Sequence, residues 1–149
     1  MNTYQSAVVA CHVLATCAMV GLIWFVQVVH YPLFAAVGSR GFAEYEQLHQ
    51  RRTSLVVGPL MATEGVTAVW LAIAPPDGLS RTLPLLGLAV LGVIHASTVF
   101  LQVPQHAALA SGYDPVRVNR LVQTNWVRTV GWSIRGVIAA LIVMRLVSS

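Results

Sequence analysis

The chain contains no lysine: its nine basic residues are all arginine, set against five acidic ones. Charged residues fill only 9% of its 149 positions, where a soluble domain carries about 25%. So few charges cannot make a water-facing surface, so lipid must cover much of the protein. Arginine suits buried pairing and planar recognition, and lysine suits a solvated exterior. The net charge of +4 gives no basic surface run and no interleaved aromatic platform, which argues against nucleic acid as a partner. Only two cysteines occur, Cys11 and Cys17. On a helix they stand roughly 9 Å apart along the axis and point different ways, which excludes a local disulfide and leaves them as packing residues. Met1–Ser6 has no basic stretch of the kind that opens a signal peptide, so the span behind it reads as retained. There is no phosphate loop, no nucleophile elbow and no dinucleotide fingerprint.

What the chain does have is apolar length, with 56% of its residues hydrophobic. Four segments are long enough to cross a bilayer: approximately Ala7–Val29, Ser54–Ala74, Thr82–Val103 and Val127–Val147. Pro75-Pro76-Asp77-Gly78 is a turn between the second and third. Gly38 is placed to end a helix before Arg40 and Gly41. Asp114 is a candidate N-cap ahead of Pro115 at the first helical position. The expected fold is therefore all-α: one domain over 1–149, an integral membrane four-helix bundle made of two like-oriented helical hairpins. Tyr31–Val37, Phe42–Thr53, Gln105–Ala110 and Val116–Trp126 are amphipathic and extend the spans beyond the lipid on one face. Arg40, Arg51, Arg52, Arg117 and Arg120 lie on that face, against Arg81 and Arg145 on the other. The positive-inside rule makes the first face cytoplasmic and puts both termini outside, as expected of a multi-pass protein of the cell (inner) membrane.

The scarce polar residues are not scattered. An offset of 76 residues (106 minus 30) pairs His30 with His106, Gln47 with Gln123, Arg52 with Arg128 and Thr53 with Thr129, and brings His49 onto Asn125. This hints at duplicated hairpins. Residues equidistant from a turn share a depth in an antiparallel pair, which gives a layer of His30, His49, His106 and Asn125 near the cytoplasmic interface. One turn deeper come Gln27, Arg52, Gln102 and Arg128, with Trp24 and Trp132 below. Near mid-membrane the same arithmetic gathers Glu64, His95 and Arg135, with His12 further out. His12, Thr16, Met19, Ile23, Gln27, His30 and Phe34 recur every three or four residues, so this stripe faces the bundle interior.

Each group has a bland and a chemical reading. Glu64 and Arg135 form a structural ion pair or a proton or substrate site. An isolated charge at mid-bilayer costs about 2.5–3.5 kcal/mol on insertion scales, so each needs the other. His30, His49 and His106, with Glu46 one turn away, are ordinary interfacial histidines or a metal-ligand set. Glu46-Gln47-Leu48-His49 has the Glu-x-x-His spacing of di-iron bundles, but only once. A non-haem metal ion or haem is thus a possible cofactor. Arg52 and Arg128 are positive-inside anchors or a clamp for an anionic oxygen. Gln27, Gln102, Trp24 and Trp132 are candidate cofactor contacts, the tryptophans as packing or as a ligand platform.

The layout resembles the small four-helix membrane proteins that include the anthrone oxygenases. The features that carry this are His30-Tyr31-Pro32 closing the first span, Arg51-Arg52 entering the second, Val103-Pro104 closing the third and Asn125-Trp126-Val127-Arg128-Thr129 entering the fourth. In those relatives histidine directly precedes proline, whereas here Tyr31 intervenes, and His106 stands where asparagine is more usual. The resemblance implies oxidation of a lipophilic phenolic substrate. The leading expectation is a membrane oxidoreductase, with an oxygenase among its candidate forms, in which His30, His106, Arg52, Arg128 and Asn125 serve catalysis on a lipophilic small molecule. Two others stand beside it. One is a haem-, quinone- or lipid-binding subunit of a larger complex or homo-oligomer. The other is a proton or small-solute conduit through Gln27, Gln102, His95, Glu64 and His12.

Overall fold

The computed structural model describes residues 1–148. Within them, four helical rods span Thr3–Ala36, Phe42–Ile73, Thr82–Leu109 and Pro115–Val147, each long and apolar enough to cross a membrane. The first rod opens on a capping box: Asn2 Oδ1 accepts from the Gln5 amide at 2.9 Å, and Gln5 Oε1 accepts from the Asn2 amide at 3.0 Å. Gly38 and Gly41 have φ of 79° and 86°, which lets the chain leave the first rod and enter the second within a few residues. Asp114 caps the fourth rod by accepting from the Val116 and Arg117 amides at 2.9 and 3.3 Å, with Pro115 at the first helical position.

The rods run up and down around one axis. Rod one packs on two, two on three, three on four and four on one, so rods one and three, and rods two and four, sit diagonally. The Thr3 and Val147 helix ends and the 74–81 turn lie at one end of the bundle, and the 37–41 and 110–114 turns at the other. Gly131 lets the fourth rod approach the third, since a Cβ there would meet the Ile94 side chain at 2.6 Å.

Two rods change pitch near the 37–41 and 110–114 end. Rod one is α1 (Thr3–Phe25), a π-helical turn over Val26–His30 and a 3-10 turn over Pro32–Ala36. Rod three is α2 (Thr82–Ser97), a π-helical turn over Thr98–Gln102 and α3 (Val103–Leu109). Each π turn ends two residues before a proline, Pro32 or Pro104. The proline ring lacks an N–H and crowds the carbonyl four residues back. Widening the preceding turn relieves that crowding: the Tyr31 amide bonds to the Val26 carbonyl, five residues back, at 3.0 Å. These matching features stand 72 residues apart (104 minus 32), so in rods one and three the structural correspondence runs at 72 and not at 76. His30 corresponds to Gln102, and the coincidence of His30 with His106 is not a structural one.

Candidate functional site

The buried polar residues form two clusters along the axis. The first lies in the half nearer the termini. There Glu64 and Arg135, 0% and 1% exposed, form an ion pair across the bundle diagonal. Thr16 Oγ1 donates to Glu64 Oε1 at 3.4 Å, and Arg135 approaches His12 Nε2 at 3.3 Å. Thr67 gives its proton to the Thr63 carbonyl at 2.8 Å, so it accepts from His12 Nδ1 at 2.9 Å. His12 Nε2 is then free to accept from Arg135, and the imidazole is neutral. His95 does not join this cluster: its Nδ1 donates to the Leu91 carbonyl in its own helix at 3.0 Å.

Above that pair the axis is apolar. Met19, Ile23, Ile94 and Trp132 are each 0% exposed and close the bundle between the two clusters. Trp132 is therefore a core residue, and its indole N–H has no partner among the described residues. Trp24 points outward, 44% exposed, donates to Ser133 Oγ at 3.0 Å and meets Trp126 edge-on. The two tryptophans do not form a platform.

The second cluster lies toward the 37–41 and 110–114 turns. His30 Nε2 and His49 Nδ1 are 2.9 Å apart, the His49 and His106 ring centroids are 5.3 Å apart, and Glu46 lies beneath His106. The three histidines and Glu46 thus share one site. Asn125 does not join them. It donates to Gln27 Oε1 at 2.9 Å, Thr129 reaches the same oxygen at 3.1 Å, and Arg128 donates to Asn125 Oδ1 at 3.1 Å. Gln27 Nε2 closes this layer on the Val122 carbonyl. Gln27 and Asn125 are therefore buried scaffold that aims Arg128.

Two cavities flank the histidines. One of about 300 Å³ opens between rods two and three and is lined by Tyr31, His49, Gln102, His106 and Arg128 among apolar walls. The other, about 530 Å³, opens between rods one and two, with His30, His49 and Arg52 along it. Arg52 is exposed. Arg52 and Arg128 face different cavities and do not clamp one oxygen.

Metal ligation was one expectation for this cluster. Two imidazoles sharing an ion at bond lengths of about 2.0–2.1 Å stand roughly 3.3 Å apart in a tetrahedral site. His30 and His49 touch at 2.9 Å, a direct hydrogen bond. His106 uses both ring nitrogens on protein partners. Among the described residues, no group of three or more His, Cys, Asp or Glu is arranged to hold a metal ion. The ring pairs also touch, so no slot for a haem plane lies between them. The donor set does not fit either group.

It does fit proton transfer. The buried Glu46 carboxylate accepts from His106 Nδ1 at 2.6 Å and from Gln50 Nε2 at 3.1 Å. With an Nδ1 proton directed at Glu46, the His106 tautomer that carries no proton on Nε2 accepts there from the Tyr31 hydroxyl at 2.8 Å. Carboxylate, imidazole and phenol thus form one chain that ends at the cavity wall, where Arg128 faces the Tyr31 hydroxyl. Tyr31, 4% exposed, is the site residue that sequence reasoning missed. Comparison with protein-family models, curated proteins and solved structures gives no match for this chain.

Proposed function

We propose that this multi-pass membrane protein is an oxidoreductase that takes a proton from a lipophilic, weakly acidic substrate in the cavity between rods two and three. The observation that carries the reading is the Tyr31–His106–Glu46 chain. A proton from the substrate passes to the Tyr31 oxygen as the Tyr31 proton passes to His106 Nε2, and Glu46 stabilises the imidazolium. Arg128 is placed to stabilise the negative charge that develops on the substrate oxygen. The resemblance to anthrone oxygenases supplies the oxidation: an activated methylene and one dioxygen give a ketone and one water. In this balance the methylene carbon loses both its C–H bonds and is oxidised by four electrons. One atom of dioxygen becomes the ketone oxygen, and the other leaves as water with the two hydrogens. Positive-inside asymmetry supports a site at the cytoplasmic end. The apolar layer of Met19, Ile23, Ile94 and Trp132 counts against a continuous conduit between the two polar clusters.

The test is oxygen uptake by the protein in lipid nanodiscs with anthrone as substrate. One oxygen consumed per ketone formed, above the spontaneous rate, supports the reading. Uptake no faster than with protein-free nanodiscs contradicts it.

A further inference from the structure

The cavity between rods one and two differs in character from the one between rods two and three. We infer that it is a binding groove for one anionic phospholipid of the surrounding bilayer, with the lipid phosphate on Arg52 and one acyl chain along the groove. This site does not depend on the reaction proposed above.

Arg52 stands exposed on the groove wall and makes no side-chain hydrogen bond or ion pair among the described residues. The protein has no anion to offer it. Of the five acidic residues, Glu46, Glu64 and Asp114 pair with His106, Arg135 and Arg117. Asp77 belongs to the turn at the far end of the bundle. Glu44 precedes Arg52 by eight residues (52 minus 44), about 12 Å along the rod. No acidic side chain lines the groove. Arg52 also lies just before the apolar run that opens at Ser54, which is headgroup depth for an arginine. Its planar fork is therefore open to a phosphate, which it can meet with two parallel hydrogen bonds.

The rest of the groove selects a lipid phosphate over a soluble one. Leu22, Val26 and Val56 line the end toward the middle of the bundle, and His30, Tyr45 and Arg52 line the end toward the 37–41 turn. Polarity thus runs as it does in a leaflet lipid, with the tail inward and the head at the interface. Phe25, Leu48 and Val56 are exposed along the walls, so the groove opens sideways to the bilayer and a chain enters without crossing water. An apolar cavity of about 150 Å³ holds one six-carbon benzene, so about 530 Å³ has room for roughly twenty carbon atoms, one acyl chain and not two. The second chain stays in the leaflet.

The test counts bound lipids by native mass spectrometry. The full-length protein in mild detergent is titrated with an equimolar mixture of phosphatidylglycerol and phosphatidylcholine that carry identical chains. Phosphatidylcholine presents the same phosphate beside its own ammonium, which offsets the charge that Arg52 attracts. The first phosphatidylglycerol should therefore bind about tenfold more tightly, the difference between a charged and a neutral contact. Arg52→Gln, with its melting temperature checked, should bring the two lipids to parity. Arg51→Gln, one residue away and off the groove wall, should keep the preference. Val56→Trp fills the apolar end and should weaken both lipids. Parity in the unaltered protein would overturn the inference, as would a preference that survives in a folded Arg52→Gln. Equal loss in Arg51→Gln would overturn it too, by making the preference a property of the whole basic face. Displacement of bound phosphatidylglycerol by equimolar palmitate would give the groove to a free fatty acid and overturn the phospholipid assignment.

Discussion

Removing either member of the Glu64–Arg135 pair strands the other in the bundle interior, and the cost depends on what remains around it. Glu64→Leu leaves Arg135 with only a neutral His12 at 3.3 Å. Arg135→Met leaves Glu64 with one Thr16 hydroxyl at 3.4 Å and an oxygen that already has no partner among the described residues. Neither neighbour carries a compensating charge, and both residues are essentially unexposed, so screening offers no relief. Breaking a buried pair in this way costs about 3–5 kcal/mol, whereas replacing both partners by apolar residues of similar volume is often neutral. At roughly 2–4 °C per kcal/mol for a chain of this size, each single variant should lose about 6–20 °C of melting temperature. The double variant should stay close to wild type. Thermal unfolding of all four proteins in one mild detergent gives the coupling energy directly, expected at about 3 kcal/mol or more. If the single effects simply add in the double variant, the two charges do not depend on each other and this account of the lower cluster is wrong.

Two more outcomes check the packing and the topology. Gly87→Ala places a methyl group against the Arg135 guanidinium and should cost about 1–3 kcal/mol, while Gly92→Ala, with nothing within 4 Å, should be tolerated; equal melting temperatures would count against the close approach of rods three and four. Cysteine introduced as Ser39→Cys, in a background with Cys11 and Cys17 changed to alanine, should resist a membrane-impermeant maleimide in intact cells while Ser80→Cys reacts, and the reverse pattern would invert the proposed orientation.

Much of the architecture was legible because lipid makes polar residues expensive. Four apolar spans, Asp114 as a cap and Gly38 at a rod end all come from local rules, and the structure holds them where expected. The pairing of Glu64 with Arg135 was legible for the same reason. What escaped was the phase of the helices near Pro32 and Pro104. An extra residue in a π turn rotates the residues beyond it by about 100° relative to a straight helix. The straight stripe through Gln27, His30 and Phe34 therefore misses Tyr31, which the π turn carries to the axis while His30 slips to the side of rod one. Depth arithmetic had the same limit. It placed Asn125 with the histidines and Arg52 with Arg128, because equal depth says nothing about which way a side chain points. Sequence could have flagged Tyr31 through a different signal: an aromatic hydroxyl directly before a proline that ends an otherwise regular span.

If the Glu46–His106–Tyr31 chain moves the substrate's proton, the turnover of anthrone must depend on the Glu46 carboxylate, and Glu46→Gln removes that charge alone. Glutamine keeps the shape and can still accept from His106, but it carries no charge to stabilise an imidazolium. A positioned acid–base group typically contributes about 10²–10⁴-fold, so kcat should fall by that order while KM changes little and the melting temperature holds. A folded Glu46→Gln protein that turns over at the wild-type rate would contradict the account, because the carboxylate would then have no part in the proton's path.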